Sequence, residues 1–292
     1  MSRIVYVNGR YTPLSEPLIN VEDRGFQFAD GVYEVCEVRG GRLVDERRHL
    51  ARLERSLAKL RIAAPMSMLS LRVVVREVVL RNRIADGLAY IQVTRGAAPR
   101  GHAFPAKPVR PTLVVTARAL DPKARSRAEL GIAVITCPEN RWPRVDIKTI
   151  SLLPNVLAKQ AAIEAGAAEA WFVDADGMVN EGSSSNAWIV TGEGALVTAP
   201  TTARILEGVT RAVVFDTAAS LGLTFVERRF SVDEAHAAQE AFITSATTLV
   251  TPVIRIDTAA VGDGKPGKTA LRLRKALSDN ADLASPLTRP LA

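Results

Sequence analysis

Cysteine and histidine are scarce in this 292-residue chain: Cys36 and Cys137 on one side, His49, His102 and His236 on the other. Two thiols cannot build a disulfide framework, and so few imidazoles leave little for a metal centre, so no metal is expected and a reducing, cytoplasmic setting is the natural reading. Aromatic residues make up only 5%, few for a surface that stacks nucleobases. No apolar run reaches the roughly 20 residues of a bilayer-spanning helix, so no membrane partner is expected. The opening MSRIVYVNGRY lacks an apolar signal core and is not expected to be a targeting peptide. Lysine is rare as well, eight against thirty arginines, with a formal net charge of +7.

What is present is an ordinary globular balance, 47% hydrophobic and 24% charged, in a length that suits two domains of roughly 150 residues. The arginine excess suits an anionic partner: nucleic acid, a cofactor phosphate or a carboxylate. Asn8-Gly9 predicts a two-residue hairpin, and Gly40-Gly41 a second. Leu50, Leu53, Leu57 and Leu60 recur at helical spacing within 46–60, and a further helix is expected after Pro65. Strands are predicted at 88–95, 111–119, 131–137 and 168–174, and over NAWIVT, TFVERRF, AFITS and PVIRID. Helices are expected near 152–166, 209–222, 232–239 and 268–279. The polar stretch LDPKARSRA reads as a linker over 120–128, dividing an N-terminal domain (1–119) from a C-terminal one (129–292), with a site in the cleft between them.

Four stretches carry candidate chemistry. In RWPRVDIKTISLLPNVLAKQ (141–160), Lys148 stands among Val145, Ile147, Ile150 and Leu152. Such a lysine either snorkels at a strand edge or is desolvated enough to be an amine nucleophile that forms a Schiff base. VNEGSSSNAW (179–188) is either a polar loop or aims Glu181 into a site beside serine hydroxyls, the carboxylate that a pyridoxal phosphate ring nitrogen needs. ILEGVTRAVV (205–214) puts Gly208, Val209 and Thr210 at a helix start, where free N–H groups and the helix dipole favour phosphate; an ordinary helix start reads the same way. Arg52 could meet that phosphate or be one solvated arginine among thirty. In QVTRGAAPRGHAF (92–104), Arg100 and His102 lie two apart in an extended loop, so both can reach one carboxylate, unless the loop is only an exposed tip.

Together with DRGFQFADGVYEV (23–35), these stretches resemble the fold-type IV pyridoxal-phosphate enzymes, and within them the D-amino-acid aminotransferase branch. The similarity runs in order from the first hairpin to TPVIRID (251–257). It implies an α+β fold with a smaller N-terminal α/β domain, a larger C-terminal domain with a barrel-like β core, and pyridoxal 5'-phosphate at the domain interface. By position, Lys148 resembles the Schiff-base lysine that also moves the proton between Cα and C4′. Glu181 resembles the carboxylate facing the ring nitrogen, and Arg141 the arginine near the 3′ oxygen. Arg52, with the amides of Val209 and Thr210, resembles the phosphate site; Leu206 lies behind the ring, and Ser184 and Ser185 line the cofactor side. Tyr33, Arg100 and His102 resemble the trio that holds the substrate carboxylate, the last two supplied by the second subunit of a homodimer. The implied activity moves an amino group from a D-amino acid, such as D-alanine or D-glutamate, to a 2-oxo acid in ping-pong fashion.

The chain departs from the pattern in its late phosphate loop. Ala246 stands where relatives often place a threonine, so the contact is expected from Ser245, Thr247 or a backbone amide; Leu249 stands where they often have glutamate. Branched-chain L-amino-acid aminotransferase and aminodeoxychorismate lyase share the lysine and the glutamate, and Arg100-Gly101-His102 favours the D-amino-acid branch over both. A nucleic-acid-binding module is the remaining alternative, opposed by arginines that alternate with acids along the helices.

Overall fold

The computed structural model describes residues 3–121, 123–202 and 204–285. It divides into two compact units: the chain to Leu120 with Ile147–Ser151 and the segment from Asp282, and then Asp121–Asp146 with Leu152–Ala281. The expected linker over 120–128 takes another form. Most of it is a short helix, α4 (Ala124–Glu129), belonging to the second unit. A polar, proline-bearing composition signals exposure, and a short helix satisfies that as well as a coil does. Nor does the C-terminal unit begin once and continue, because Ile147–Ser151 and the chain from Asp282 return to the first unit.

The first unit is built on a six-stranded sheet of β1 (Ile4–Val7), β2 (Arg10–Pro13), β3 (Gly31–Arg39), β4 (Arg42–Leu43), β5 (Gly87–Thr94) and β6 (Thr112–Ala119), in the order β2-β1-β6-β5-β3-β4. All its neighbours are antiparallel. Asn8 and Gly9 take φ of 48° and 103°, the left-handed pair that a two-residue hairpin demands. Besides α1 (Arg24–Phe28), the unit carries α2 (Glu46–Leu60) and α3 (Met68–Arg81). Leu53, Leu57, Val75 and Val78 on these last two helices pack with Val32, Cys36, Ile91 and Val115 of the sheet, the one-sided burial expected of antiparallel strands.

Strand β4 is two residues long and pairs with the end of β3, at Val38 and Arg39. The earlier half of that edge is taken by Ile147–Ser151: Lys148 O accepts from Tyr33 N at 3.0 Å, and Ile150 N donates to Gly31 O at 3.1 Å. Strand edges present unmet backbone groups, and satisfying this edge draws a late segment of the chain into the first unit.

The second unit holds a curled half-barrel sheet. Its strands are β7 (Ile132–Pro138), β8 (Glu169–Val173), β9 (Met178–Gly182), β10 (Asn186–Val190), β11 (Leu196–Thr198), β12 (Phe225–Glu227), β13 (Phe230–Ser231), β14 (Glu240–Ser245), β15 (Leu249–Ile256) and β16 (Ala259–Ala260). The order is β12-β11-β10-β14-β15-β7-β8-β9-β13, with β16 on β15. Strands β7 and β8 run parallel, joined through α5 (Leu153–Glu164), the crossover that a parallel pair requires. The remaining helices are α6 (Val209–Ser220), α7 (Val232–His236) and α8 (Lys268–Asp279). Trp188, Phe242, Val214 and Leu273 form one core cluster with α6 and α8, and Trp171, Ile189, Phe230 and Val253 form another. Among the described residues no helix is long and apolar enough to cross a membrane, and no group of three His, Cys, Asp or Glu could hold a metal ion.

Candidate active site

Side chains alternate along β3, and the parity that faces the helices reads Val32, Glu34, Cys36, Val38. Glu34 is therefore a carboxylate set into an apolar face, with no measurable exposure. Helix α2 answers it. Arg52 donates from Nε to Oε1 at 2.7 Å and from Nη2 to Oε2 at 2.8 Å, and His49 Nδ1 lies 2.9 Å from Oε2. Burial opposes the charge of Glu34, but the Arg52 guanidinium and His49 outweigh it and hold the carboxyl down to about 2. The arginine expected at a cofactor phosphate thus commits two of its nitrogens to Glu34.

The other parity of β3 faces away from the helices. Tyr33 lies there, half-buried, its ring 5.6 Å from that of Tyr90 on β5. Tyr90 Oη donates to Gln92 Oε1 at 2.7 Å. Burial, then Tyr33, pushes the Tyr90 phenol up to about 12, so it stays neutral. Lys148 comes to this face through the edge pairing with β3, and its Nζ stands 4.3 Å from the centre of the Tyr33 ring, within cation–π range. Its backbone N–H points to Ser56 Oγ at 3.4 Å. The structure thus brings Lys148 and Tyr33 together. Arg100 and His102, expected beside Tyr33, are exposed and pack within the chain on Phe28, at 4.7 Å and 5.6 Å from its ring.

In the second unit, Glu181 is 4% exposed at the end of β9, a segment that reads as loop from its polar composition but pairs as strand. Its Oε1 accepts from Arg141 Nη1 at 2.6 Å, and its Oε2 from Asn186 Nδ2 at 2.9 Å and Leu206 N at 3.0 Å. Burial still prevails and pushes the Glu181 carboxyl above the usual range. Arg141, expected near a cofactor oxygen, bridges two carboxylates: its Nε and Nη2 fork onto Glu139 at 2.8 and 2.6 Å. Desolvation opposes its charge, yet Glu139 and Glu181 together raise its pKa further. Asn180 donates to Glu139 at 3.0 Å, and the Phe172 ring lies 4.3 Å from the guanidinium.

Asn186 ties this carboxylate to the phosphate candidates. It also donates to Leu206 O at 3.0 Å, so Leu206 contributes backbone at both ends of the clasp. A Cβ at Gly208 would collide with Asn186 Oδ1, so only glycine fits there. Gly208 opens α6 with no side-chain cap on that helix, and Val209 and Thr210 follow, buried. Asn186 lies opposite Thr244 in the β10–β14 register, one residue before the late loop. There Ser245 Oγ meets Thr247 Oγ1 at 3.1 Å and Thr248 Oγ1 at 2.9 Å, around a half-buried Ala246. Leu249 holds φ of 58°, and Arg274 fastens the turn through the carbonyls of Thr248 and Val250 at 2.6 and 2.7 Å.

Ser184 and Ser185 turn another way. Their hydroxyls donate to Glu169 Oε2 at 2.8 and 3.0 Å, and Ser183 Oγ to its other oxygen. Glu169 is 1% exposed, and a carboxylate so deeply buried demands such donors.

Sequence reasoning missed Glu34, His49, Glu139, Glu169 and Asn186. Glu34 had a readable signal, a charge on the apolar parity of an alternating strand. Asn186 sat inside a motif already singled out. Glu139 and Glu169 carry no local mark, since their partners come from other strands.

The family profile described as "Amino-transferase class IV" matches residues 31–256. The D-alanine aminotransferase of Bacillus licheniformis is 39% identical over 276 residues, 94% of this chain and 96% of that protein. The D-alanine aminotransferase of Staphylococcus haemolyticus is 37% identical, over 93% of this chain and 95% of its own. Among solved structures, the T.th. branched-chain amino acid aminotransferase with pyridoxamine 5'-phosphate matches with a TM-score of 0.87 at 28% identity, covering 96% of this chain and 94% of that one.

Proposed function

The chain belongs to the class IV aminotransferases, and from that premise we propose that it moves an amino group from a D-amino acid, such as D-alanine or D-glutamate, to a 2-oxo acid by a ping-pong mechanism. The observation that carries the reading is Glu181. A carboxylate buried to this degree keeps its charge against desolvation only through three donors, and its pKa still rises. A protonated ring nitrogen is the opposite charge that would relieve it, so the residues present fit pyridoxal 5'-phosphate. The start of α6 and the hydroxyls of Ser245, Thr247 and Thr248 suit its phosphate by the same test of chemistry.

When bound, the cofactor supplies a carbonyl carbon to receive the amino group and a ring that takes up negative charge from the substrate Cα. Lys148 would be its attachment point, and once the substrate's own amine has displaced it, the freed Nζ would be the base that takes the proton from Cα. Glu181 keeps the ring nitrogen protonated, while Arg141 holds that carboxylate in place and serves the 3′ oxygen. Val209 and Thr210 offer amides to the phosphate, with Ser245, Thr247 and the Ala246 backbone from the late loop; Arg52 serves the same phosphate. Leu206 supports the ring, and Ser184 and Ser185 shape the loop beside Glu181. Tyr33, Arg100 and His102 hold the substrate carboxylate, the arginine through its planar fork.

A homodimer that supplies Arg100 and His102 across subunits is supported by what the chain leaves open. Leu18, Val21 and Phe26 in the first unit are 89%, 75% and 78% exposed, and α5 presents Leu153, Val156, Leu157 and Ile163. Large apolar side chains left exposed on each unit suit association. Two free cysteines suit the cytoplasm. The D-amino-acid reading is favoured over the branched-chain one by the Arg100-Gly101-His102 element and by higher identity to D-alanine aminotransferases than to branched-chain structures.

Purified protein should absorb in the near-visible and bleach with D-alanine but not with L-leucine. Lys148→Ala should lose both the band and turnover; a variant that keeps both refutes the assignment. Bleaching by L-leucine alone would move the chain to the branched-chain branch.

A further inference from the structure

The loop carrying Arg100, Gly101 and His102 joins β5 to β6 and is exposed throughout these three residues. The structure fastens it from beneath. Arg24, whose side chain is 4% exposed, donates from Nη1 to Gly101 O at 2.6 Å and Ala103 O at 3.3 Å, and from Nη2 to His102 O at 3.4 Å. Its Nε donates to Asp30 Oδ2 at 2.8 Å.

The same Asp30 carboxylate receives Arg95 Nε at 2.7 Å and Nη2 at 2.9 Å. Arg95 continues to the carbonyls of Leu60 and Arg61, both at 2.9 Å, which anchors the cluster to the end of α2. Burial opposes ionisation of Asp30, but the bonds from Arg95 and Arg24 prevail and hold its carboxyl below the usual range. Helix α1 fixes the approach of Arg24. Asp23 caps it by accepting from Gly25 N at 2.8 Å and also accepts from Thr94 Oγ1 at 3.0 Å. Phe28, four residues after Arg24, seats Arg24, Arg100 and His102 around one ring.

A buried guanidinium normally spends its donors on a carboxylate or on buried carbonyls. Here three consecutive carbonyls of an exposed loop are held by one side chain whose charge is met from the other side by Asp30. That arrangement restrains the loop backbone while leaving the Arg100 and His102 side chains outward. We infer that Arg24, Asp30 and Arg95 form a positioning clasp that sets the Arg100-Gly101-His102 loop for a substrate carboxylate. Arg24 then governs carboxylate affinity without touching substrate. The inference rests on the reading of Arg100 and His102 given above.

The test uses the holoenzyme and propionate, a carboxylate with no amine to react, with binding read from its competitive inhibition against D-alanine. Arg24→Lys keeps the charge beside Asp30 but cannot span three carbonyls. Propionate affinity should fall about tenfold or more, since small misplacement of a positioning group is costly. KM for D-alanine should rise in parallel while kcat stays within about twofold, the pattern of lost uniform binding. Amide hydrogen exchange over 99–104 should quicken, with the near-visible band and melting temperature unchanged. In an Arg100→Ala/His102→Ala background, adding Arg24→Lys should change propionate affinity no further, because nothing is left to position.

An undiminished propionate affinity in Arg24→Lys, or an equal loss in both backgrounds, overturns the clasp. Should Arg24→Lys fail to fold, Asp30→Asn, which keeps the shape and removes the shared charge, carries the same expectations for propionate affinity, KM and amide exchange and the same refutation, with a melting temperature lowered by the two guanidiniums it leaves without their carboxylate. If Arg100→Ala/His102→Ala alone binds propionate as the wild type does, the carboxylate reading of the loop falls, and the clasp's role falls with it.

Discussion

Replacing Glu181 by glutamine should leave the cofactor-free protein as stable as before, to within about 1 kcal/mol. Burial raises the pKa of this carboxyl, and an acid whose folded pKa lies above its unfolded one loses folding stability as pH rises through that range. The ionised form of Glu181 therefore weakens its unit, and glutamine removes that cost. Against this, the new amide N–H₂ must face a donor, Arg141 or the Asn186–Leu206 pair, at a cost of about 1–2 kcal/mol. Arg141 is not stranded, because its fork onto Glu139 remains. The two effects offset each other.

Glu34→Gln should behave in the opposite way. Its carboxyl is drawn from 4.5 down to about 2, so the charge stabilises the fold above the first value, by about 3 kcal/mol on linkage. The change would also leave Arg52 buried beside a neutral group, and breaking such a pair costs about 3–5 kcal/mol. Urea unfolding at pH 7 reads the two separately. Trp142, Trp171 and Trp188 all lie in the unit of Glu181, and all four tyrosines lie in that of Glu34. Tryptophan emission then follows one unit and near-ultraviolet tyrosine dichroism the other. If Glu181→Gln loses as much stability as Glu34→Gln, the reasoning is refuted. Loss of turnover in a Glu181→Gln protein of undiminished stability is the mark of a charge kept for function.

The first unit should lose stability as pH falls from about 4.5 toward 2, seen as a drop in its urea midpoint by tyrosine dichroism; a flat profile would contradict the depressed Glu34. Gly208→Ala should displace Asn186 from Glu181 and lower retention of the near-visible chromophore on dialysis, whereas a normal chromophore would show that the collision is relieved elsewhere. Glu169→Ala should cost about 3 kcal/mol or more in tryptophan-monitored unfolding, because Ser183, Ser184, Ser185 and Ala170 N lose one shared acceptor; a loss below about 1 kcal/mol would mean water replaces it. Both thiols should resist alkylation at pH 8, since burial pushes Cys137 up to about 11 and Cys36 well above the usual thiol range; fast labelling of native protein would refute this.

Much of the fold was legible because its signals are local. Asn8-Gly9 permits left-handed backbone, the leucines of α2 repeat at the helical period, and the strands from β5 to β8 are runs of apolar and β-branched residues. What was missed was short or polar. Helix α1 spans five residues, too few to show a period, and β9 is stranded by its partners β8 and β13 despite reading VNEG. The site divides in the same way. Lys148, Glu181 and the Gly208 helix start stand out because a reactive or charged group interrupts an apolar stretch or opens a helix. The company these groups keep does not stand out. Arg52 turns to Glu34, Arg141 to Glu139, and Ser184 and Ser185 to Glu169, all through contacts made only after strands and helices pack.

By itself, the sequence determined the alternation of elements, the amine, the carboxylate and the family to which they belong. It determined these because side-chain period, turn chemistry and motif spacing act over a few neighbouring residues. Tertiary structure decided that Lys148, far along the chain, joins the first unit along the open edge of β3. It decided also which buried charges meet. Both outcomes depend on unmet backbone groups and desolvated charges finding partners across long separations, and no local pattern encodes who those partners are.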